Sequence, residues 1–187
     1  YSGYGNSIAH ANEFRDSADS AWMQIEWGSL GMTLNAAAEG GLPIWAGPKG
    51  GLLLGTHNDD NLYGAQGHDL LYAGAGNDAL DGGQGLNHAI FVGDQSQYEV
   101  IRISDDTVQI ADQIQDRDGT DSLTRVQRVD FADYSVGFDV QAGQSTGVAY
   151  RMYGVLDRAP DLEGLGYWIA DFDNGLGLIG MAQSFLD

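Results

Sequence analysis

The chain has 187 residues, of which 27 are acidic and 8 are basic, so its formal net charge is −19. This charge excludes nucleic acid and anionic membranes as natural partners, because both carry the same sign, and it favours cations. The sequence contains no cysteine, so a secreted protein of this kind must be stabilised by something other than disulfides, and a bound metal could do so. No apolar run approaches the ~18 residues of a membrane span, and no signal peptide is recognisable. A chain that begins at Tyr1 is expected to be a piece of a larger protein.

Residues 1–46 are predicted to form a β-rich N-terminal cap or module. Apolar residues alternate on either side of Gly28, which predicts two short strands. The alternating residues are Met23, Ile25, Trp27, Leu30, Met32 and Leu34. The favoured interpretation is a sheet that covers the next segment. A ligand face built on Trp22 and Trp27 is the alternative, since exposed tryptophans favour sugar or protein contacts.

Residues 47–94 contain a glycine-rich repeat with a period of nine. Its four units are GTHNDDNLY (55–63), GAQGHDLLY (64–72), AGAGNDALD (73–81) and GGQGLNHAI (82–90). In each unit the sixth position is acidic or an amide, and the eighth position is apolar. The sixth positions are Asp60, Asp69, Asp78 and Asn87, and the eighth are Leu62, Leu71, Leu80 and Ala89. Such a nonapeptide is typical of the calcium-binding parallel β-helix.

Two units are expected to form one coil of about 18 residues, so that alternate units stack on one another. The central residue of each short strand then faces inward, which predicts a thin core of stacked leucines. The same stacking places Asp60 over Asp78. Two carboxylates about 4 to 5 Å apart repel by roughly 3 to 4 kcal/mol at an effective dielectric near 20, and a calcium ion with about 6 to 8 oxygen ligands turns this repulsion into binding. Asp78, with the carbonyls of Gly74 and Gly76, is also predicted to begin a site below.

The repeat resembles the repeats-in-toxin (RTX) family of secreted bacterial proteins, which carry a calcium-bound parallel β-roll. The resemblance rests on the register of the three aspartates, and residues 91–140 look like the segment that commonly ends such rolls. It implies that calcium takes carbonyl oxygens at positions two and four, with the aspartate, from one unit. From the stacked unit it takes positions one and three with that unit's aspartate.

Carried onto this sequence, the resemblance implies two sites on opposite edges of the roll. The first is expected to use Thr56, Asn58, Asp60, Ala73, Ala75 and Asp78. The second is expected to use Ala65, Gly67, Asp69, Gly82, Gln84 and Asn87. The second site should be weaker or completed by water, because Asn87 is neutral.

Other candidate chemistry has less support. The segment DRDGTD (116–121) resembles a calcium loop, but the favoured interpretation is an Asp/Gly turn between strands. The four histidines lack the spacing of a zinc site, and His57 and His68 are expected to be exposed. The sequence has no G-x-S-x-G motif and no cysteine nucleophile, and a glycosidase pair among its carboxylates is disfavoured.

Residues 141–187 change to a helical period. Two apolar faces are predicted, one of Val148, Met152, Val155 and Leu156, and one of Leu178, Met181, Ala182 and Phe185.

The stretch 149–168 resembles the start of a small helical domain of unknown function that is common in secreted and surface-layer bacterial proteins. The resemblance rests on residues 157–161 and 164–168, with Asp157 in place of the expected glycine. Because that domain usually continues further, it is expected to be incomplete here. Pro160 should end one helix and Asp161 should cap the next. The aromatic side chains of Tyr167 and Trp168 are then expected to pack on Tyr150 and Tyr153, with a sugar or partner surface as the alternative.

The predicted fold class is mainly β, a parallel β-roll with flanking strands and a small C-terminal α-helical segment. The predicted divisions are a cap at 1–46, the roll at 47–94, strands that end the roll at 95–140, and a helical domain at 141–187.

Two functions of different classes fit this fold. The favoured function is a non-catalytic calcium-binding module of a secreted or cell-surface bacterial protein, exported by type I secretion and folding on calcium outside the cell. It would serve adhesion, surface-layer assembly or carbohydrate contact, with a glycan or a surface protein as partner. The alternative is the accessory end of a secreted protease, lipase or glycan-active enzyme whose catalytic domain lies upstream.

Overall fold

The computed structural model describes residues 23–27, 32–36, 43–141, 143–155, 159, 162–175 and 177–184. The chain divides into two compact units, Tyr1–Val136 and Gly137–Asp187. Among the described residues, no helix combines the length and apolar character needed to cross a membrane.

The β-structure forms two sheets. Its described strands are β1 (Met23–Trp27), β2 (Met32–Ala36), β3 (Pro43–Trp45), β4 (Gly51–Leu54), β5 (Asn61–Tyr63), β6 (Leu70–Tyr72), β7 (Ala79–Asp81), β8 (His88–Ile90), β9 (Tyr98–Arg102), β10 (Thr107–Asp112), β11 (Thr120–Thr124), β12 (Arg128–Asp130) and β13 (Ser135–Gly137). One sheet has the order β1-β2-β4-β6-β8-β12-β13 and the other has the order β3-β5-β7-β11-β10-β9. Successive strands from β3 to β8 therefore alternate between the two sheets.

The alternation of strands between the two sheets sets the length of one coil. Strand β5 pairs in parallel with β7, with Leu62 opposite Leu80, and β6 pairs in parallel with β8, with Leu71 opposite Ala89. Equivalent residues of stacked units are 18 positions apart. The predicted parallel β-roll with two nonapeptides per coil is confirmed.

Two columns of apolar side chains fill the roll, one from each sheet. They are Leu53, Leu71, Ala89 and Val129 in one sheet, and Ile44, Leu62, Leu80 and Leu123 in the other. All of these side chains are buried, since the central residue of each short strand faces inward. The predicted core of Leu62, Leu71 and Leu80 is confirmed, and it extends further at both ends.

At the N-terminal end of the roll, β1 and β2 pair antiparallel with Trp27 opposite Met32, and β2 runs parallel to β4. The two short strands predicted there are confirmed. Trp22 and Leu30 lie outside the described residues.

After β8 the chain leaves the coil and then returns to it. Strands β9 and β10 form an antiparallel hairpin at the edge of one sheet, and β11 pairs antiparallel with β10 and parallel with β7. Strand β12 then pairs in parallel with β8. A further coil, formed by β11 and β12, is therefore stacked on β7 and β8.

The second unit contains α1 (Ser145–Val155), α2 (Leu162–Asp173) and α3 (Leu178–Ser184). Val148 and Ala149 of α1 are buried, and five partly buried side chains pack against them. These are Met152, Leu165, Trp168, Ile169 and Phe172.

Parts of the predicted helical faces are wrong. Val155 is 77 % exposed, and Leu178 is also exposed. The period of a helix defines possible faces, but contact with α2 selects the face of α1 that carries Ala149. Leu156, Pro160, Asp161 and Phe185 lie outside the described residues.

Tyr150 and Tyr167 are both exposed, so neither ring is buried in a core by the predicted packing. Tyr167 instead lies edge-on to its neighbour Trp168, with ring centroids 5.0 Å apart. Trp168 contacts the buried pair in α1 and so is part of the core of this unit.

Candidate metal sites

A column of carboxylates lies where the chain enters the strands of one sheet. Asp60 immediately precedes β5 and Asp78 immediately precedes β7, and their exposed fractions are 1 % and 3 %. The backbone N–H of Asp60 donates to Oδ1 of Asp78 at 2.6 Å. Thr56 donates to Oδ2 of Asp60 through its backbone N–H at 2.6 Å and its hydroxyl at 2.9 Å. The predicted stacking of Asp60 and Asp78 is thus present in the structure.

The opposite edge carries a column in which amides replace carboxylates. The backbone N–H of Asp69 donates to Oδ1 of Asn87 at 3.1 Å, and the backbone N–H of Asn87 donates to Oε1 of Gln127 at 2.8 Å. Asp69 and Asn87 are both buried. Asn87 therefore remains within the coil.

Five buried carboxylate oxygens in the described part of the chain have no hydrogen-bond partner. They are Oδ1 of Asp60, both oxygens of Asp69, Oδ2 of Asp78 and Oδ2 of Asp121. A buried carboxylate without a counter-charge is strongly destabilising unless it is protonated or coordinates a metal. Four of the five belong to Asp60, Asp69 and Asp78, and Asp121 continues the first column, because its Oδ1 accepts the backbone N–H of Asp78 at 2.8 Å. The edges of the roll therefore have the chemistry of cation sites.

Burial also raises the pKa of Asp69, Asp78 and Asp121. It raises the pKa of Asp69 to about 7. It also raises the pKa of Asp78. The backbone hydrogen bond from Asp60 lowers this pKa, whereas the negative charge of Asp60 raises it. A bound cation would reverse these shifts, since it favours the ionised form.

Backbone carbonyls come close to the carboxylates at both edges. The carbonyl oxygen of Gly82 and Oδ2 of Asp69 each lie 2.5 Å from the point that a Cβ on Gly64 would occupy. At Gly55 the corresponding distances are 2.1 Å for the carbonyl oxygen of Ala73 and 2.9 Å for Oδ2 of Asp60. Only glycine leaves room for two oxygens to meet at each of these points.

The remaining predicted ligands lie in the turns between coils. The carbonyl of Thr56 accepts the N–H of Ala75 at 3.1 Å, and the carbonyl of Ala65 accepts the N–H of Gln84 at 3.0 Å. Each of these carbonyls has a second lone pair.

The carbonyls of Asn58 and Gly67 face the next coil, at 2.7 Å and 1.6 Å from the Cβ positions of Gly76 and Gly85. The carbonyls of six predicted ligands thus face a stacked unit, namely Thr56, Asn58, Ala65, Gly67, Ala73 and Gly82, whereas Ala75 and Gln84 are placed only by their backbone N–H groups.

The donor set fits calcium better than zinc. Carboxylate and carbonyl oxygens suit a hard cation, whereas zinc favours nitrogen and sulfur. Over the described ranges, no three His, Asp or Glu side chains converge on a single metal position. His57 and His68, which lie in the turns, are exposed as predicted.

The fold and its edges define a parallel β-roll with oxygen-lined cation sites. Residues 54–88 match a family described as the RTX calcium-binding nonapeptide repeat, in four copies. The matched segment contains both columns from Asp60 to Asn87, and these repeats bind calcium. Residues 54–88 are therefore repeats of the RTX calcium-binding type.

Two further comparisons concern the chain as a whole. No curated protein matches its sequence. A solved structure, the extracellular lipase LipA from Serratia marcescens, is similar over 55 % of this chain and 17 % of the lipase chain, with 18 % sequence identity and a TM-score of 0.29. The chain thus spans less than a fifth of the length of that lipase.

Sequence reasoning missed two residues that continue the columns. Asp121 follows Asp78 on one edge, and Gln127 follows Asn87 on the other. The segment 116–121 does connect two strands, as predicted, but its last residue also enters the carboxylate column. A signal was available, since Gly119, Asp121 and Leu123 repeat the spacing of Gly76, Asp78 and Leu80.

Proposed function

We propose that this chain is a calcium-dependent folding module of a secreted bacterial protein, and that its roll assembles when the exported chain meets calcium. The observation that carries this proposal is the set of five buried carboxylate oxygens without hydrogen-bond partners in the described residues. A net charge of −19 adds general repulsion to this local repulsion. Calcium offsets both only in the folded coil, so the ion stabilises the folded state selectively.

The proposed ligands are those at the two edges. One ion takes the carboxylates of Asp60 and Asp78 with carbonyls of Thr56, Asn58, Ala73 and Ala75. The other takes Asp69 and Asn87 with carbonyls of Ala65, Gly67, Gly82 and Gln84. Cytosolic calcium is too scarce to fill sites of the weaker, extracellular class, whereas millimolar calcium outside the cell fills them. This difference supports export in an unfolded state, as type I secretion requires.

The test is to remove and restore the ion. Metal-free protein should lose much of its β circular dichroism or melt at a markedly lower temperature, because a ligand at a hundredfold excess over its dissociation constant contributes about 2.7 kcal/mol per site. Calcium chloride should restore both signals. Magnesium chloride is the matched control and should not, since magnesium prefers a tighter octahedron with retained water. An unchanged spectrum and melting temperature in metal-free protein would contradict the proposal.

Among adhesion, surface assembly and carbohydrate contact, one observation favours carbohydrate contact. Trp45 is 59 % exposed and stacks on Tyr63, with ring centroids 4.2 Å apart. A supported, exposed indole face is a suitable platform for a sugar ring. Trp45→Ala should abolish co-sedimentation with insoluble polysaccharides such as chitin, cellulose or peptidoglycan, whereas Tyr150→Ala, at another exposed aromatic, should not. Equal co-sedimentation of the two variants would contradict this role.

The alternative, an accessory region of a secreted hydrolase, involves the same calcium-binding roll. It differs in what precedes Tyr1 in the encoded protein, where it requires a catalytic domain. Under either alternative we assign no catalytic role to the residues of this chain.

A further inference from the structure

Asp121 occupies the place that the next repeat aspartate would occupy. Strand β11 pairs with β7 in parallel, with Ser122 opposite Ala79 and Leu123 opposite Leu80. Strand β7 pairs with β5 in the same way, with Ala79 opposite Asn61 and Leu80 opposite Leu62. Asp121 is therefore related to Asp78 as Asp78 is related to Asp60, although it follows Asp78 by 43 residues instead of 18.

The hydrogen bonds repeat together with the register. Oδ1 of Asp78 accepts the backbone N–H of Asp60 at 2.6 Å, and Oδ1 of Asp121 accepts the backbone N–H of Asp78 at 2.8 Å. In both carboxylates Oδ2 is buried and has no hydrogen-bond partner among the described residues. The exposed fraction of Asp121 is 1 %. Asp121 therefore has the same hydrogen bonding and burial as a repeat aspartate.

The residues just before Asp121 also follow the coil above. Asn77 donates its backbone N–H to Oδ1 of Asp59 at 2.7 Å, and Thr120 donates its backbone N–H to Oδ1 of Asn77 at 3.1 Å. Gly119 has a φ of +79°, and a Cβ there would lie 1.8 Å from the carbonyl oxygen of Gly76. This close approach requires glycine at residue 119, as the equivalent approach does at Gly76.

Contacts to the β9–β10 hairpin fix the loop that leads back into the coil. The buried hydroxyl of Tyr98, in β9, donates to Oδ2 of Asp118. Arg117 forms two hydrogen bonds of 2.6 Å with the carboxylate of Asp112, in β10, and its guanidinium lies 4.8 Å from the ring centroid of Tyr98. The hairpin therefore interrupts the repeat in the sequence, but its contacts hold the loop that leads into β11.

We propose that residues 116–124 are a fifth roll unit and that Asp78 and Asp121 flank a further calcium ion, outside the segment 54–88 that matches the RTX repeat. The ion takes Oδ2 of both carboxylates and the carbonyl oxygens of Gly74 and Gly76, which correspond to Thr56 and Asn58 in the coil above. This inference rests on the proposed function, because it requires that the roll binds calcium.

The fifth unit departs from the repeat at its first turn. Asp116 has a φ of +59°, whereas the left-handed residues of the preceding units, Ala65, Gly74 and Gly83, stand one position later in their units. The first turn of the fifth unit therefore differs from the repeat, and we expect the affinity to be lower than at the Asp60 and Asp78 pair. On the opposite edge, the column ends in the neutral side chain of Gln127, which offers no carboxylate for a matching ion.

The test counts the calcium bound per chain in three isosteric variants of the whole 187-residue chain. Equilibrium dialysis is performed at a free calcium concentration that fills sites with two carboxylates but leaves sites with one carboxylate and one amide, such as the Asp69 and Asn87 pair, empty. Because Asp78 would serve two ions, Asp78→Asn should lose two ions, whereas Asp60→Asn and Asp121→Asn should each lose one. Asp105→Asn, at an exposed position in the β9–β10 turn, removes the same charge and should lose none.

A different pattern would overturn the inference. If Asp78→Asn and Asp60→Asn each lose one ion and Asp121→Asn loses none, no ion lies between Asp78 and Asp121. If Asp121→Asn fails to fold, the comparison of Asp78→Asn with Asp60→Asn still decides. A parent chain that binds no calcium would contradict the proposed function itself, so the two failures are distinguishable.

Discussion

Asp69 and Asn87 are equivalent residues of successive coils, and they are joined by a hydrogen bond of 3.1 Å from the backbone N–H of Asp69 to Oδ1 of Asn87. Nδ2 of Asn87 donates to the carbonyl of Arg125 at 3.3 Å. Within the described residues both carboxylate oxygens of Asp69 are buried without a hydrogen-bond partner. This edge therefore pairs one uncompensated carboxylate with a neutral amide, whereas the other edge pairs carboxylates.

Asn87→Asp should move stability in opposite directions with and without calcium. In metal-free protein the new carboxylate repels Asp69 and loses the Nδ2 hydrogen bond, so the melting temperature should fall. In millimolar calcium the new anionic ligand should raise it. Asn174→Asp makes the same substitution at an exposed position just after α2 and should change the calcium-induced rise much less. The prediction fails if the rise is the same in the parent and in Asn87→Asp.

The leucine column should account for a large share of the stability of the calcium-loaded roll. Leu71 is fully buried, and its neighbour Leu70 in the same strand is partly exposed on the other face. Leu71→Ala should lower the free energy of unfolding in calcium by about 2 to 5 kcal/mol, because it leaves a cavity in a thin core. Leu70→Ala should cost much less. Urea denaturation in saturating calcium measures both, and equal losses would mean that the column is not the principal core.

Gly64 is predicted to be essential for calcium binding at the Asp69 edge. A Cβ at this position would lie 2.5 Å from Oδ2 of Asp69 and 2.5 Å from the carbonyl oxygen of Gly82. Overpacking strain of about 1 to 3 kcal/mol should weaken this site by roughly tenfold or more. In contrast, a Cβ on Gly154, in α1, meets nothing within 4 Å, so Gly154→Ala should stabilise the helix by up to about 1 kcal/mol. Calcium titration of both variants gives the comparison, and unchanged affinity in Gly64→Ala would contradict the role of Gly64.

The consecutive part of the roll was predictable because each step of nine residues carries both a polar and an apolar marker. Asp60, Asp69 and Asp78 define the register, and that register also fixes which leucines face inward. The candidate metal sites at the edges could be predicted for the same reason, since the period of two units alone places Asp60 over Asp78.

The continuation of the roll could not be found from the period. Asp121 stands 43 residues after Asp78, because the β9–β10 hairpin intervenes, and only strand pairing restores the register. The turn from Thr124, at the end of β11, to Gln127 is too short for a full nonapeptide. Val129 nevertheless lies in the core. In the helical unit, the period predicted a face that includes Val155, whereas packing against α2 selected the neighbouring face.

The raised pKa values of three buried carboxyl groups predict how the metal-free protein responds to pH. Burial raises the pKa of Asp69 from its ordinary 3.8 to about 7, and it raises the pKa of Asp78 and Asp121 as well. Between about pH 4 and pH 7 the folded state therefore holds protons that the unfolded state has released. Protons bound selectively by the folded state stabilise it, so metal-free stability should be greatest near pH 4 and decline as the pH rises through about 7.

Calcium should offset this trend, because it must displace the same protons before it binds. Melting curves of dialysed, metal-free protein and of protein in millimolar calcium, at about pH 5 and pH 8, test both signs. Dialysis replaces a chelator here, since chelators lose affinity in acid. From pH 5 to pH 8 the metal-free melting temperature should fall, while the rise caused by calcium should grow. Asp69→Asn cannot release a proton at this position, so both changes should be smaller in that variant. A metal-free melting temperature that increases from pH 5 to pH 8 would show that the buried carboxylates are already ionised and compensated without calcium.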